Sequence, residues 1–184
     1  DLCLVGSEMC IRDSFQGEPI VTKFEFLKAL AIARVYGFKE YEKALTFIKL
    51  NYSSTIEGKE AERILDEVLP TVKNDRFLKN DLSDNYKIVY QFDTVSNRDI
   101  DSQITKLKKY IDKVDYLDLT VSEDFYNNIV TFVVVHGLKS YDGGLGLAER
   151  LENSIDIQAK SFFVISTDNY KTIQIHKNLD KFEK

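Results

Sequence analysis

Apolar positions along this chain follow two rhythms, and the change between them divides it. From Lys23 to Gly37, Phe26, Leu27, Leu30, Ala31, Ala33 and Val35 recur at helical spacing, and Gly37 suits the left-handed residue that ends a helix. A second periodic segment, Glu40 to Tyr52, sets Tyr41, Ala44, Leu45, Phe47, Ile48 and Leu50 mostly on one side, with Asn51 as its terminator. A third follows Ser53 and Ser54 as N-cap candidates. It runs through Glu57, Ala61, Ile64, Leu65 and Val68, and Pro70 is expected to stop it.

Residues 71–84 are polar and lack a sustained period, which predicts a linker. Beyond them the period becomes two. Tyr86, Ile88, Tyr90 and Phe92 alternate with Lys87, Val89 and Gln91, the pattern of a strand. Asn97 or Asp99 then caps a helix with an apolar stripe of Ile100, Ile104, Leu107, Ile111 and Val114. Leu117, Leu119 and Val121 alternate with Asp118, Thr120 and Ser122 in a second strand. The stretch EDFYNN is expected to turn the chain into the β-branched run IVTFVVV. Asp142 is the expected cap of a helix through Leu145, Ala148, Leu151 and Ile155, and KSFFVIS supplies a fourth strand. The order βαββαβ predicts a ferredoxin-like domain, an antiparallel sheet with two helices on one face. The tail from Asp168 to Lys184 adds a short helix, against the strand preference of TIQIH within it.

The chain has 184 residues and a formal net charge of −5, so it carries no broad cationic field of the kind that draws nucleic acid or anionic membranes. The apolar run from Ile129 to Val135 is too short to span a bilayer, and any signal peptide would lie upstream. The first fourteen residues, DLCLVGSEMCIRDS, resemble translated sequencing-adapter read-through and contain Cys3, Cys10 and Met9, every Cys and Met of the chain. Residues 1–14 are therefore set aside as non-native, and the remainder is read as the C-terminal end of a longer protein. Without Cys, the native part is silent on redox compartment.

Candidate chemistry is sparse. His136 and His176 are the only imidazoles, and neither sits in a metal-ligand spacing. Gly143, Gly144 and Gly146 precede a helix but lack the Lys-Ser or Lys-Thr of a phosphate loop, and read as a flexible connection. Glu123 and Asp124 are expected to be solvated in a turn. Tyr86, Tyr90 and Phe92 could stack bases as RNA-binding sheets do, but their alternation assigns them to the core. The expectation is no catalytic residue, no metal, no cofactor and no nucleic-acid partner.

Two resemblances sharpen this. GFKEYEKALTFIKLNYSSTIEGKEAERIL resembles a tetratricopeptide repeat, with Gly37, Tyr41, Ala44, Tyr52 and Ala61 where paired helices interlock, and it departs at Ser54, where such repeats carry Pro. With NYKIVYQF, IVTFVVVHGL and above all FVISTDNY, the chain resembles the C-terminal end of Bacteroidota tetratricopeptide lipoproteins of the type IX secretion and gliding-motility apparatus, the PorW or SprE type. That resemblance implies a periplasmic, outer-membrane-associated scaffold with protein partners and an anchor upstream. The stretch IVTFVVVHGLKSYDGGLGLAERLENS is also similar to the peptidoglycan-binding SPOR fold, which implies a glycan-binding alternative. The expected class is α+β: a tetratricopeptide-like helical region over 15–70, a linker over 71–84 and a SPOR-like βαββαβ domain over 85–184. Unless an upstream repeat covers them, Phe26 and Leu30 are expected to form an exposed, aggregation-prone patch.

Overall fold

The computed structural model describes residues 19–79, 83–93, 97–113 and 118–182, so the readings made for residues 1–14, Val114 and Leu117 lie outside the described residues. The chain is α+β and divides into two compact units, with the boundary between Asp75 and Arg76.

The first unit is helical. α1 (Pro19–Tyr36) ends at Gly37, whose φ of 81° and N–H bond to the Ala33 carbonyl make it the left-handed stop. α2 (Phe38–Asn51) follows, and α3 (Ile56–Arg63) folds back on it. The cap of α3 is Thr55, whose hydroxyl accepts from the Gly58 N–H, rather than Ser53 or Ser54. Gly58 is required there: a Cβ would lie 1.9 Å from the Tyr52 carbonyl oxygen. Val21, Ala29, Phe38, Leu45, Ile48 and Ala61 form the core, and Thr22 donates to Glu57 across α1 and α3.

Pro70 does not stop the third helix. The helix widens into a π-turn over Ile64–Val68, with the Leu69 N–H bonded to the Ile64 carbonyl five residues back, and then continues as α4 (Leu69–Val72). A proline ring clashes with the carbonyl four residues before it and offers no N–H, and a widened turn just ahead accommodates both.

The second unit is built on β1 (Tyr86–Asp93), β2 (Thr120–Phe125), β3 (Val130–Leu138) and β4 (Ser161–Ser166), in the order β2-β3-β1-β4 with every pair antiparallel. One face buries Tyr86, Ile88, Tyr90, Phe92, Val133, Val135 and Leu138 against α5 (Asn97–Ile111) and α6 (Tyr141–Ser154). The aromatic residues of β1 are thus core residues, as their alternation implied. The cap of α6 is Ser140, which accepts from the Gly143 N–H, and not Asp142. The three glycines lie inside α6 and form no loop. Gly144 lets the helix approach β4, since a Cβ would sit 2.7 Å from Val164 Cγ1, whereas nothing lies within 4 Å of one at Gly146.

The other face is covered as well, by elements that the period of the sequence does not announce. Val89, Phe132, Val134 and Ile165 pack against Tyr126 and against Tyr170 and Ile173 of α7 (Thr167–His176), with Leu179 of α8 (Leu179–Phe182). The tail is therefore two helices, and TIQIH is helical because Ile173 must reach the sheet. Phe77, expected in a free linker, packs on this face too, and the Asn169 side chain accepts from the Leu78 N–H and donates to its carbonyl. Asn169 is 1 % exposed, and residues 76–79 of the expected linker are part of the domain.

Two measurements check this packing. Gly144→Ala should lower the urea midpoint by an overpacking cost of about 1–3 kcal/mol, because Val164 is stiff at χ1, while Gly146→Ala should be neutral or stabilising by up to about 1 kcal/mol. Tyr90→Phe should raise the midpoint by up to about 1 kcal/mol, since the Tyr90 hydroxyl is buried and has no hydrogen-bond partner among the described residues.

Candidate functional site

On the α7 side of the sheet, one corner is polar. Its origin is a β-bulge: Tyr86 pairs with Leu138 but Ile88 with Val135, so His136 and Gly137 together oppose Lys87. Gly137 makes this possible with a φ of 96°, at a point where a Cβ would meet the Asp118 carbonyl oxygen at 2.3 Å. The extra residue keeps Leu138 on the α5–α6 face while His136 follows Phe132 and Val134 onto the other. Ser122 and Asp124 of β2 and Lys87 of β1 point to the same side. Glu123 and Asp124 lie within β2, paired with Val133 and Phe132, and not in a turn. The turn begins later, where the Asn127 side chain accepts from the Ile129 and Val130 N–H groups.

These residues form a continuous chain of hydrogen bonds. Lys87 Nζ is 2.9 Å from His136 Nδ1, and His136 Nε2 is 2.7 Å from Ser122 Oγ. Ser122 donates to Asp124 Oδ1 at 2.9 Å, and the Tyr170 hydroxyl donates to Asp124 Oδ2 at 2.6 Å. Gln174 donates to the Tyr170 oxygen, and Lys177 donates to Gln174 while its ammonium sits 4.9 Å over the Tyr126 ring. The Leu179 N–H closes the corner by donating to the Tyr126 hydroxyl.

Burial sets the electrostatics. It holds the His136 imidazolium pKa below its ordinary value, helped by the Lys87 charge and opposed by Asp124. Burial also lowers Lys87, with Asp124 opposing and Lys171 assisting. The Tyr170 phenol is pushed up, first by burial and then by its bond to Asp124. With Lys87 charged, Nδ1 of His136 accepts, Nε2–H donates to Ser122, and Ser122 donates to the carboxylate.

That polarity decides what the corner can do chemically. A serine nucleophile hands its proton to an imidazole that a carboxylate orients. Here the carboxylate contacts the serine, the imidazole donates to it, and the second ring nitrogen faces an ammonium group. The Ser-His-Asp set is therefore wired in the wrong order for acyl transfer, and it serves as a hydrogen-bonded seam between sheet and helix.

Of the residues weighed from sequence, His136 enters this cluster and His176 does not; it ends α7, half-buried. Asp124, expected to be solvated in a turn, enters the cluster as well, while Lys87, Ser122 and Tyr170 were assigned no chemistry from sequence. The signal for Lys87, Ser122 and Asp124 was parity, since each alternates with core residues of the α5–α6 face. Among the described residues no group of three or more His, Cys, Asp or Glu side chains could hold a metal ion, and no helix is long and apolar enough to cross a membrane. Neither a family model, a curated protein nor a solved structure matches this chain.

Removing the Tyr170 hydroxyl tests the seam. Tyr170→Phe should cost about 1–2 kcal/mol in urea unfolding, the lower part of the range for a hydrogen bond to a charged acceptor because the corner is only partly buried. An unchanged midpoint would mean that the bond contributes nothing.

Proposed function

We propose that the chain is a non-enzymatic adaptor that binds protein partners, a periplasmic, outer-membrane-associated scaffold of the type IX secretion and gliding-motility machinery. One observation carries the adaptor reading: a continuous apolar stripe on the outer side of α1. Ile20, Phe24, Leu27 and Leu30 are 48 %, 59 %, 60 % and 45 % exposed. Their spacing puts them along one side of the helix, with Lys23 and Lys28 beside them. The stripe includes the expected Leu30, but Phe26 turns partly inward and Phe24 and Leu27 take its place.

Large apolar side chains clustered this way on a helix mark a docking face. The flanking cations suit a partner helix that presents apolar residues between carboxylates. The helical unit is read as a tetratricopeptide-like hairpin and the sheet domain as ferredoxin-like. The secretion assignment rests on the FVISTDNY resemblance at Phe163 to Tyr170. Tagged protein should recover secretion-machine components from envelope extracts, and Phe24→Lys with Leu27→Lys should weaken that recovery at least about tenfold, the effect of losing about 1.4 kcal/mol. Recovery of no such component would remove the secretion assignment, and equal recovery by the variant would remove the stripe.

The SPOR-like alternative, a peptidoglycan-binding module, draws on the strand order β2-β3-β1-β4 with two helices on one face. Against it stands the other face, where such a domain would contact glycan: α7, α8 and Phe77 lie on it. The chain should fail to sediment with purified sacculi.

A further inference from the structure

We propose that the Lys87–His136–Ser122–Asp124–Tyr170 seam is a proton-operated latch, which holds α7 and the docked Phe77–Leu78 segment on the sheet and loosens both when the Lys87–His136 pair takes up a second proton. This is independent of the adaptor reading, since it concerns only the second unit.

The geometry leaves no place for that proton. Lys87 Nζ and His136 Nδ1 face each other at 2.9 Å, a hydrogen-bond line with room for one proton. Either lysine or imidazole can carry it. A second proton makes both groups donors and both cations. An ammonium group has no lone pair, so the bond becomes a repulsive contact. The groups around His136 do not rescue it. β1 contributes Lys87; β2 contributes Ser122 and one carboxylate, Asp124, already engaged by Ser122 and Tyr170; α7 contributes Tyr170 and, acting on Lys87, the cation Lys171.

Separation of the pair travels in two directions. Toward β2, His136 releases Ser122, which holds Asp124 in position for Tyr170. Toward α7, Lys87 leaves its place 5.8 Å over the Tyr170 ring. Tyr170 adjoins Asn169, whose two hydrogen bonds to Leu78 fasten the segment that leads to the helical unit. A loosened α7 therefore frees residues 76–79 from the sheet. The sign follows from burial: the folded His136 binds its proton at lower pH than an unfolded one, so the unfolded state holds more protons on acidification. Latch stability is complete above the ordinary histidine range near pH 6.5 and falls as the pH drops through it toward the depressed folded value.

The test is amide hydrogen exchange on the full chain between pH 7.5 and 5, corrected for intrinsic rates, with NMR titration of the His136 ring. In the wild type, protection of Thr167–His176 and of Phe77–Lys79 should fall at least tenfold across that range while β1 and β3 amides hold. Lys87→Gln, whose amide can turn its oxygen toward a protonated imidazole, should keep α7 protected at pH 5. His136→Asn should make protection independent of pH. A wild-type α7 whose protection does not change, a loss that persists unchanged in both variants, or a loss shared equally by β1 and β3 would each overturn the proposal. If His136→Asn does not fold, the Lys87→Gln comparison still decides between these outcomes.

Discussion

A sheet with apolar side chains on both faces has to be covered twice, and the second unit is organised around that requirement. β1 shows it most directly: Tyr86, Ile88, Tyr90 and Phe92 face one way, and Val89 is equally buried on the other. At about 25 cal/mol per Å² of apolar surface removed from water, leaving Val89, Phe132, Val134 and Ile165 open would cost several kcal/mol, a large part of a small domain's net stability. Two helices from the βαββαβ order cover the first face. The second falls to the C-terminal helices and to Phe77, which arrives from the opposite end of the domain.

This requirement explains what was legible. Elements with a strong period were readable: the alternation of β1, the stripe of α5 through Ile100, Ile104, Leu107 and Ile111, and the β-branched run of β3. Local preference is a poor guide where tertiary cover outweighs it. TIQIH carries β-branched residues, yet the expected tail helix runs through it, because Tyr170 and Ile173 lie one turn apart and only a helix brings both to the sheet. EDFYNN reads as a turn from its polar residues, but pairing with β3 draws Glu123, Asp124 and Phe125 into the ladder. Pro70 reads as a stop, and a π-turn lets the helix pass it.

The polar seam lay further from view because its members come from β1, β2, β3 and α7. No spacing in the sequence joins them; the strand order does, by placing β2, β3 and β1 side by side, and the bulge at Gly137 selects the face on which His136 stands. The same three residue types that make a hydrolase elsewhere make a fastening here, since function depends on which atom donates to which. Beyond the stability of its individual hydrogen bonds, a partly buried network of this kind adds selectivity, because the apolar part of α7 could slide, whereas the Tyr170–Asp124 and Asn169–Leu78 bonds admit one register.

The two units differ in what they leave uncovered, and this bears on where a partner binds. In the sheet domain both faces are occupied, and the large apolar side chains among the described residues that remain exposed there, Leu78 and Ile129, are isolated. In the helical unit, four large apolar side chains line one side of α1. Single exposed apolar residues are ordinary on any protein, and a contiguous row is not, because each added member enlarges one connected patch that water must border. The proposed docking surface therefore belongs to the helical unit, while in the sheet domain both apolar faces are taken up by that domain's own elements.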